Sequence, residues 1–340
     1  MDHINVFTLH VIIYIVIIVR THISTILLQP VSYYKNMKGK NTRSVLSEYI
    51  GRLYKLPSKH ILFIKKICDD CHNASLVIDD IQDNSLYRRG KPTSHIVYGI
   101  PYSLNAGYLC AFKLLYTLPK DLKMHFNGSS YMHTETIREQ ILTCATQSIY
   151  EMHIGQGLDI YWSTYKITPS MQEYLDMIEK KTGTLFTYVN KLCSIIHPNV
   201  LSVLETENIH NGLKLLCYFF QIRDDYINIT DTHVWKQKSI CEDFDEYKQT
   251  YMIVLFYHNF DISQSVKDTF FSVFYKSNKT KHDKLQLLRI LHEHEILSNT
   301  YQYLLSSIGN LKEVLRIPFL YNLLKVKAYQ INELEEYLLQ

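Results

Sequence analysis

Glycine and proline are scarce in this chain of 340 residues, 11 and 8 respectively. That scarcity argues against an architecture of many tight turns and for long uninterrupted helices. No Gly/Ser/Pro-rich linker and no short repeat divides the chain, so nothing marks a string of modules. An excess of one charge is also lacking. The 36 basic and 33 acidic residues leave a formal net charge of +3, too even a balance to recommend nucleic acid as a partner. The 7 cysteines are an odd number, scattered from Cys68 to Cys241, which fits reduced, mostly buried thiols in an intracellular protein rather than a disulfide framework, with cytoplasmic residence as the default. The apolar run from Leu9 to Val19, broken only by His10, is shorter than the ~20 residues of a spanning helix, lacks a basic leader and shows no small-residue cleavage site. Residues 1–23 are read as an apolar extension with a possible membrane contact through 9–19, and residues 24–340 as one large domain.

What is present is helical spacing. Hydrophobic residues make up 46% of the chain, enough for a large core. From Pro57 to Asp80 the residues Ile61, Ile64, Cys68, Cys71, Ser75 and Ile78 recur at three and four, the period of a buried helix face. Further helices are expected over Ile26 to Lys35, Tyr102 to Leu118 closed by Pro119, Ile137 to Gly157, Met171 to Ile196, and Ile209 to Ile229. Lys123 to Thr134 reads as a loop. Asp231 to Tyr251 is charged and irregular and reads as a lid, and the rest reads as helices joined at Lys276 to Asp283. The fold class is all-α, a single bundle.

Two acidic motifs end two of these helices: Asp79-Asp80-Ile81-Gln82-Asp83 and, about 145 residues later, Asp224-Asp225-Tyr226-Ile227-Asn228. Residues i and i+4 share a helix face, so Asp79 and Asp83 stand side by side, as do Asp224 and Asn228. Like charges at that spacing destabilise an isolated helix by ~0.2–0.5 kcal/mol, which invites a cation as the explanation. Magnesium, held by one or two carboxylates plus substrate phosphates, suits this geometry. One such motif is as readily a solvated acidic face; two, each after an apolar stretch, point to a metal-bridged diphosphate. Arg88 and Arg89 follow the first motif, and the planar fork of arginine matches phosphate oxygens. Cys68-Asp69-Asp70-Cys71-His72 also matches the spacing of a haem-attachment motif, but it lies inside the helical run, and zinc would need a second cysteine pair.

With these motifs in place the chain resembles the trans-isoprenyl diphosphate synthases, most closely the eukaryotic, insect-like geranylgeranyl diphosphate synthases. The resemblance is carried by His72-Asn73-Ala74-Ser75-Leu76-Val77-Ile78 running into the first motif, Arg88-Arg89-Gly90, Tyr98-Gly99-Ile100-Pro101, Gly155-Gln156-Gly157-Leu158-Asp159-Ile160-Tyr161-Trp162, Lys181-Thr182-Gly183, and Phe219-Phe220-Gln221-Ile222-Arg223 running into the second. It implies an isoprenoid-synthase helical bundle around a central cavity and a homodimer or higher homo-oligomer. It also implies a prenyltransferase that condenses isopentenyl diphosphate with dimethylallyl, geranyl or farnesyl diphosphate to give geranylgeranyl diphosphate. The metal would be Mg2+, about three ions per site. Carried over by position, Asp79, Asp83 and Asp224 are its ligands and Asp80 and Asp225 support them. Arg88, Lys181, Thr182, Gln221, Lys238 and Lys248 match the allylic-substrate site, and Lys40, Arg43, His72 and Arg89 the isopentenyl diphosphate site. Ala74 and Ser75, small residues on the helix flooring the cavity, leave room for a twenty-carbon chain unless Tyr102, Tyr108 or Phe112 sets the floor from across it.

The chain departs from the family pattern after Cys241-Glu242-Asp243. Lys248 is kept in Glu246-Tyr247-Lys248-Gln249-Thr250-Tyr251-Met252, but the glycine before it and the proline after it are not, which is expected to loosen the lid. Lys91 puts a charge where the family more often has an apolar residue. A diverged copy of this kind has an alternative, a terpene synthase that ionises an allylic diphosphate to a hydrocarbon or alcohol without condensation. The complete basic set of Lys40, Arg43, His72 and Arg89 favours condensation. A third reading, a weakly catalytic subunit serving a partner enzyme, sits poorly with two intact acidic motifs.

Overall fold

The computed structural model describes residues 23–37, 39, 42–125, 135–237, 239–315 and 324–339. The extension up to residue 22, Lys40 and Lys238 therefore lie outside the described residues. In chain order the elements are α1 (Gln29–Lys35), α2 (Thr42–Leu53), α3 (Ser58–Gln82), the strands β1 (Tyr87–Arg88) and β2 (Lys91–Pro92), α4 (Ser94–Tyr98), α5 (Ile100–His125), α6 (Glu135–Tyr165) and α7 (Met171–Ile178). A single π-helical turn, Glu179–Gly183, joins α7 to α8 (Thr184–Ile196). Then follow α9 (Val203–Thr230), α10 (Thr232–Trp235), α11 (Glu242–Asp245), α12 (Tyr251–His258), α13 (Gln264–Phe274), α14 (Lys281–Glu293), α15 (Ile296–Leu315) and α16 (Ile331–Leu339).

The bundle is organised on α3 and α9. Along α3 the side chains of Ile64, Ile67, Cys68, Ala74, Val77 and Ile78 are buried at the spacing the sequence shows, and along α9 so are Leu213, Leu216, Cys217, Phe219, Ile222 and Tyr226. Gly107 lets α5 lie close on α3, since a Cβ there would stand 2.8 Å from Ile78. One apolar cluster runs from Leu46 to Leu338, and a smaller one ties α1 to α3 and α5 through Val31, Tyr34, Ala74, Ala106 and Cys110. All seven cysteines are free and buried. Among the described residues no helix is long and apolar enough to cross a membrane.

Sequence expectations and structure agree on the order of the helices, with α6 running on to Tyr165 and α9 starting at Val203, and they part most at three places. α5 does not stop at Pro119 but runs through it to His125. A proline inside a helix costs about 3 kcal/mol; Leu118 and Leu122, both buried, anchor the turns on either side of it to the core. The stretch from Met171 to Ile196 is not one α-helix, because the π turn inserts a wider loop of backbone at Glu179–Gly183. The segment expected to be an irregular lid contains α10 and α11 and buries Trp235, Cys241, Phe244, Gln249 and Thr250. Where the expected glycine and proline are missing, other contacts are present. Gln249 accepts from Thr168 Oγ1 at 2.8 Å and donates to the Tyr247 carbonyl at 3.1 Å. Tyr247 takes a left-handed φ of 55° in place of glycine, and its ring lies under the Lys279 ammonium at 4.2 Å.

Candidate active site

α3 ends at its acidic motif because Asn84 adopts a left-handed φ of 55° directly after Asp83, a common way of stopping a helix. The chain then turns through the β1–β2 hairpin, where Arg89 and Gly90 both take positive φ, as a tight two-residue hairpin turn demands. This reversal brings Arg88 back over the motif it follows. Its Nε donates to both oxygens of Asp80 at 2.9 and 3.1 Å, its Nη2 closes the fork, and the same Nη2 stands 3.4 Å from Asp79. Tyr34 of α1 donates its hydroxyl to Asp80 from the other side. Burial, and then Asp80, raise the Tyr34 pKa far out of reach, so it stays a donor. Asp80 has no exposed surface; it holds Arg88 and does not face the cavity.

Asp79 and Asp83 do face it. They line one cavity with Arg43, His72, Ala74, Ser75, Arg88, Lys181, Thr182, Gln221, Asp224, Asp225 and Lys248, so the two acidic motifs meet as expected. Asp79 and Asp83 of the first motif each have a lysine beside them. Lys181 is held by Asp159 at 2.6 Å and reaches Asp79 at 3.7 Å. Burial opposes its charge, but Asp159, Asp79 and Asp83 together outweigh burial and raise its pKa. Lys248 stands 2.8 Å from Asp83 and 2.7 Å from Glu246. The π turn places both Lys181 and Thr182 at the cavity wall, and Gly155 makes its approach possible, since a Cβ there would lie 2.2 Å from the Lys181 backbone nitrogen.

On α9 the two aspartates divide their work. Asp224 is 60% exposed at its side chain and open to a ligand. Asp225 is consumed by protein donors: the Tyr174 hydroxyl at 2.6 Å, Gln221 Nε2 at 2.9 Å and the Tyr251 amide at 3.1 Å. Thr182 donates to Gln221 Oε1 at 2.8 Å, so one chain of hydrogen bonds runs from the cavity wall into the bundle.

The basic set is only partly placed. Arg43 Nη1 stands 3.0 Å from His72 Nε2. Burial, then Arg43, Arg89 and Arg88, lower the His72 pKa, so the ring is neutral and accepts from Arg43 through Nε2, leaving Nδ1–H as its donor. Arg89 does not line the cavity; it donates to the Met37 carbonyl at 3.1 Å and fills the space where a side chain at residue 39 would lie. Ala74 and Ser75 line the cavity, and the alternative floor residues do not. Tyr102 donates to the Ile26 carbonyl, and Tyr108 and Phe112 are exposed. Ala111 is the α5 residue that lines the cavity, opposite Ala74, Ser75, Ile149, Met152 and Leu185.

Tyr34, Tyr174 and Glu246 join the site without a signal in the sequence. Tyr34 lies 46 residues from Asp80 along the chain, and no local pattern joins them. Burial, chiefly, raises the Glu246 pKa from 4.5 to about 7. A carboxyl that binds its proton more tightly when folded supports the fold below its unfolded value and withdraws that support as pH rises through the folded one. Thermal stability is therefore expected to fall between about pH 5 and about pH 8, and Glu246→Gln to flatten that fall. Parallel melting profiles for the two proteins would rule it out.

Asp79, Asp83 and Asp224 offer hard oxygen donors at one end of the cavity. Among the described residues no three acids, histidines or cysteines form a closed metal cage. This donor set fits an ion that keeps waters and takes its remaining ligands from a phosphate, as magnesium does.

Against known proteins, the polyprenyl synthetase family model matches residues 24–291. A geranylgeranyl pyrophosphate synthase of Clitopilus passeckerianus is 35% identical over 226 residues, covering 66% of this chain and 61% of that protein. The preasperterpenoid A synthase PvPS of Talaromyces verruculosus is 34% identical over 223 residues, 66% of this chain and 26% of that protein. The chain thus matches about six tenths of the length of the first relative and a quarter of the second. Among solved structures, geranylgeranyl pyrophosphate synthetase from Pyrococcus horikoshii Ot3 superposes with a TM-score of 0.68 at 24% identity, covering 86% of this chain and 84% of that one, which is a likeness of fold.

Proposed function

The chain belongs to the polyprenyl synthetase family, and on that premise we propose that it condenses isopentenyl diphosphate with an allylic diphosphate, giving geranylgeranyl diphosphate. The observation that carries the reading is one cavity lined by carboxylates of α3, α6, α9 and α11, by the cations Arg43, Arg88, Lys181 and Lys248, and by the apolar or small side chains of Ala74, Ala111, Ile149, Met152 and Leu185. Residues 24–340 act as one catalytic unit, in keeping with the main apolar cluster, which runs from Leu46 to Leu338. Seven unpaired thiols suit a cytoplasmic setting.

In this reading Asp79, Asp83 and Asp224 hold magnesium, which when bound neutralises the diphosphate and eases its departure. Arg88, Lys181 and Lys248 grip the phosphate oxygens, the first fixed by Asp80 and Tyr34. Thr182 and Gln221, locked by their mutual hydrogen bond, turn oxygen dipoles toward the allylic carbon as it gains positive charge. Arg43 and His72 hold the second diphosphate; the family resemblance assigns Lys40 and Arg89 to that same diphosphate and Lys238 to the allylic one. Ala74, Ser75 and Ala111 leave depth for the growing chain.

The test is incubation of the purified protein with magnesium and farnesyl diphosphate, with and without isopentenyl diphosphate. A longer diphosphate that appears only with both substrates, and disappears with a chelator, is expected. Hydrocarbon or alcohol without elongation moves the chain to the terpene synthases, a class that the match to the preasperterpenoid A synthase keeps in view. No product in either arm overturns both readings.

A homodimer is part of the proposal. Phe112 and Tyr116 on α5 and Tyr150, Tyr161 and Tyr165 on α6 are exposed at helical spacing, and Tyr108 stacks on His153 between the two helices. An apolar aromatic stripe of this kind suits burial against a second copy. Phe112→Lys with Tyr116→Lys is expected to shift the sedimentation coefficient from dimer to monomer; an unchanged coefficient places the contact elsewhere.

A further inference from the structure

The motif Gly155-Gln156-Gly157 contains one side chain that the chemistry above leaves unused. Gln156 lines the cavity on α6 between Met152 and His153, which border its apolar part, and Asp159, which pairs with Lys181 at its polar part. At 3.6 residues per turn it stands about one turn from each. An allylic diphosphate with its diphosphate at Lys181 and its chain against Met152 and Leu185 would carry its carbon–oxygen bond across this boundary. Its Nε2 is buried and has no hydrogen-bond acceptor. Two other carboxamides of the cavity have their N–H groups engaged, Gln221 with Asp225 at 2.9 Å and Gln249 with the Tyr247 carbonyl at 3.1 Å. A buried donor left without an acceptor lowers the stability of the free protein, and a native structure that keeps one calls for a reason, of which a ligand is the first to test.

We propose that Gln156 Nε2 donates to the ester oxygen that joins the allylic carbon to the diphosphate. The inference rests on the allylic-diphosphate reading above and adds a residue to it. On ionisation the bond between that oxygen and the carbon breaks; the electron pair stays on oxygen, which leaves with the diphosphate, and the carbon keeps the positive charge. A hydrogen bond to an oxygen that is gaining charge strengthens along the way, so it lowers the barrier more than it tightens binding.

The experiment uses Gln156→Leu and Gln156→Met, two side chains of similar volume without the donor, in the full chain. Turnover with farnesyl and isopentenyl diphosphates is expected to fall about 100-fold, with KM for the allylic substrate moving less than about threefold. The melting temperature without ligand should stay level or rise, because the orphaned donor is gone. A farnesyl thiolodiphosphate, with sulfur as a weak acceptor in place of the ester oxygen, should bind wild type and both variants alike. Unchanged turnover, a rise in KM at constant turnover, or a fall in melting temperature alongside turnover each overturns the assignment, the last by making Gln156 a packing residue. A wild type that turns over no allylic diphosphate fails the parent reading instead, so the two failures are told apart by the unmutated protein.

Discussion

Asp80→Ala is expected to lower the unfolding free energy by about 3–5 kcal/mol and to abolish turnover, although Asp80 touches neither cavity nor ligand. The loss is not that of one hydrogen bond. With Asp80 gone, the Arg88 guanidinium, only 18% exposed at its side chain, loses the two acceptors that hold it, and Asp79 at 3.4 Å is a poor substitute. Tyr34 loses its acceptor as well. Its hydroxyl receives the Ser94 backbone amide at 3.0 Å, so the start of α4 is loosened too. Removing one partner of a buried pair costs far more than the pair contributes, because the remaining charge stays desolvated. Urea denaturation reads the effect as a lower midpoint. The double variant Asp80→Ala with Arg88→Met should regain part of the loss, since no unpaired charge is left. Asp79→Ala, by contrast, should keep the wild-type midpoint while losing activity. Equal midpoints for Asp80→Ala and wild type would show that Arg88 finds another anchor.

Gly155→Ala is expected to reduce kcat/KM by roughly 100-fold or more with a stability cost of about 1–3 kcal/mol. The added methyl would meet the Lys181 nitrogen at 2.2 Å, its Cα at 2.7 Å and the Lys180 carbonyl carbon at 2.9 Å. All three are backbone, so no side chain can swing aside. α6 and the π turn must separate, which withdraws Lys181 from Asp159 and moves Thr182 relative to Gln221. A displacement of about 1 Å in a positioning element is enough for a 100-fold loss. Gly157→Ala is the control: nothing lies within 4 Å of its Cβ, and replacing a helix-interior glycine by alanine gains up to about 1 kcal/mol of helix propensity. Wild-type kinetics in Gly155→Ala would mean that the π turn yields without consequence.

Much of this site is legible in the amino-acid sequence. The carboxylates at i and i+4 announce a cation, and the helix period places Ala74 and Ser75 on the wall beneath Asp79. The family resemblance carries Lys181, Thr182 and Gln221 to the same cavity. What the sequence hides has physical causes. A π turn adds one residue to a helical turn, and over the five residues Glu179–Gly183 that is too small a phase change to see between Tyr174, Met177 and Ile178 before it and Leu185, Tyr188 and Val189 after it. Pro119 reads as a stop because its local cost is real; the burial of Leu118 and Leu122 that offsets it is a tertiary fact. The division of labour within each aspartate pair is hidden as well. Asp79 and Asp80 are neighbours of identical chemistry, and only the arrival of Tyr34 and Arg88 from elsewhere in the chain closes one off and leaves the other open.

The seven buried thiols have a practical consequence. Burial pushes the thiols of Cys71, Cys110, Cys144, Cys193, Cys217 and Cys241 upward, and an alkylating reagent needs the thiolate and a path to it. In the closed molecule it has neither. Each cysteine is therefore a silent clock, started only when its own helix breathes, and α3, α5, α6, α8, α9 and the approach to α11 all carry at least one. The order in which the native chain takes up label under mild conditions would rank these elements by how readily they open, turning an ordinary composition into a built-in map of local motion.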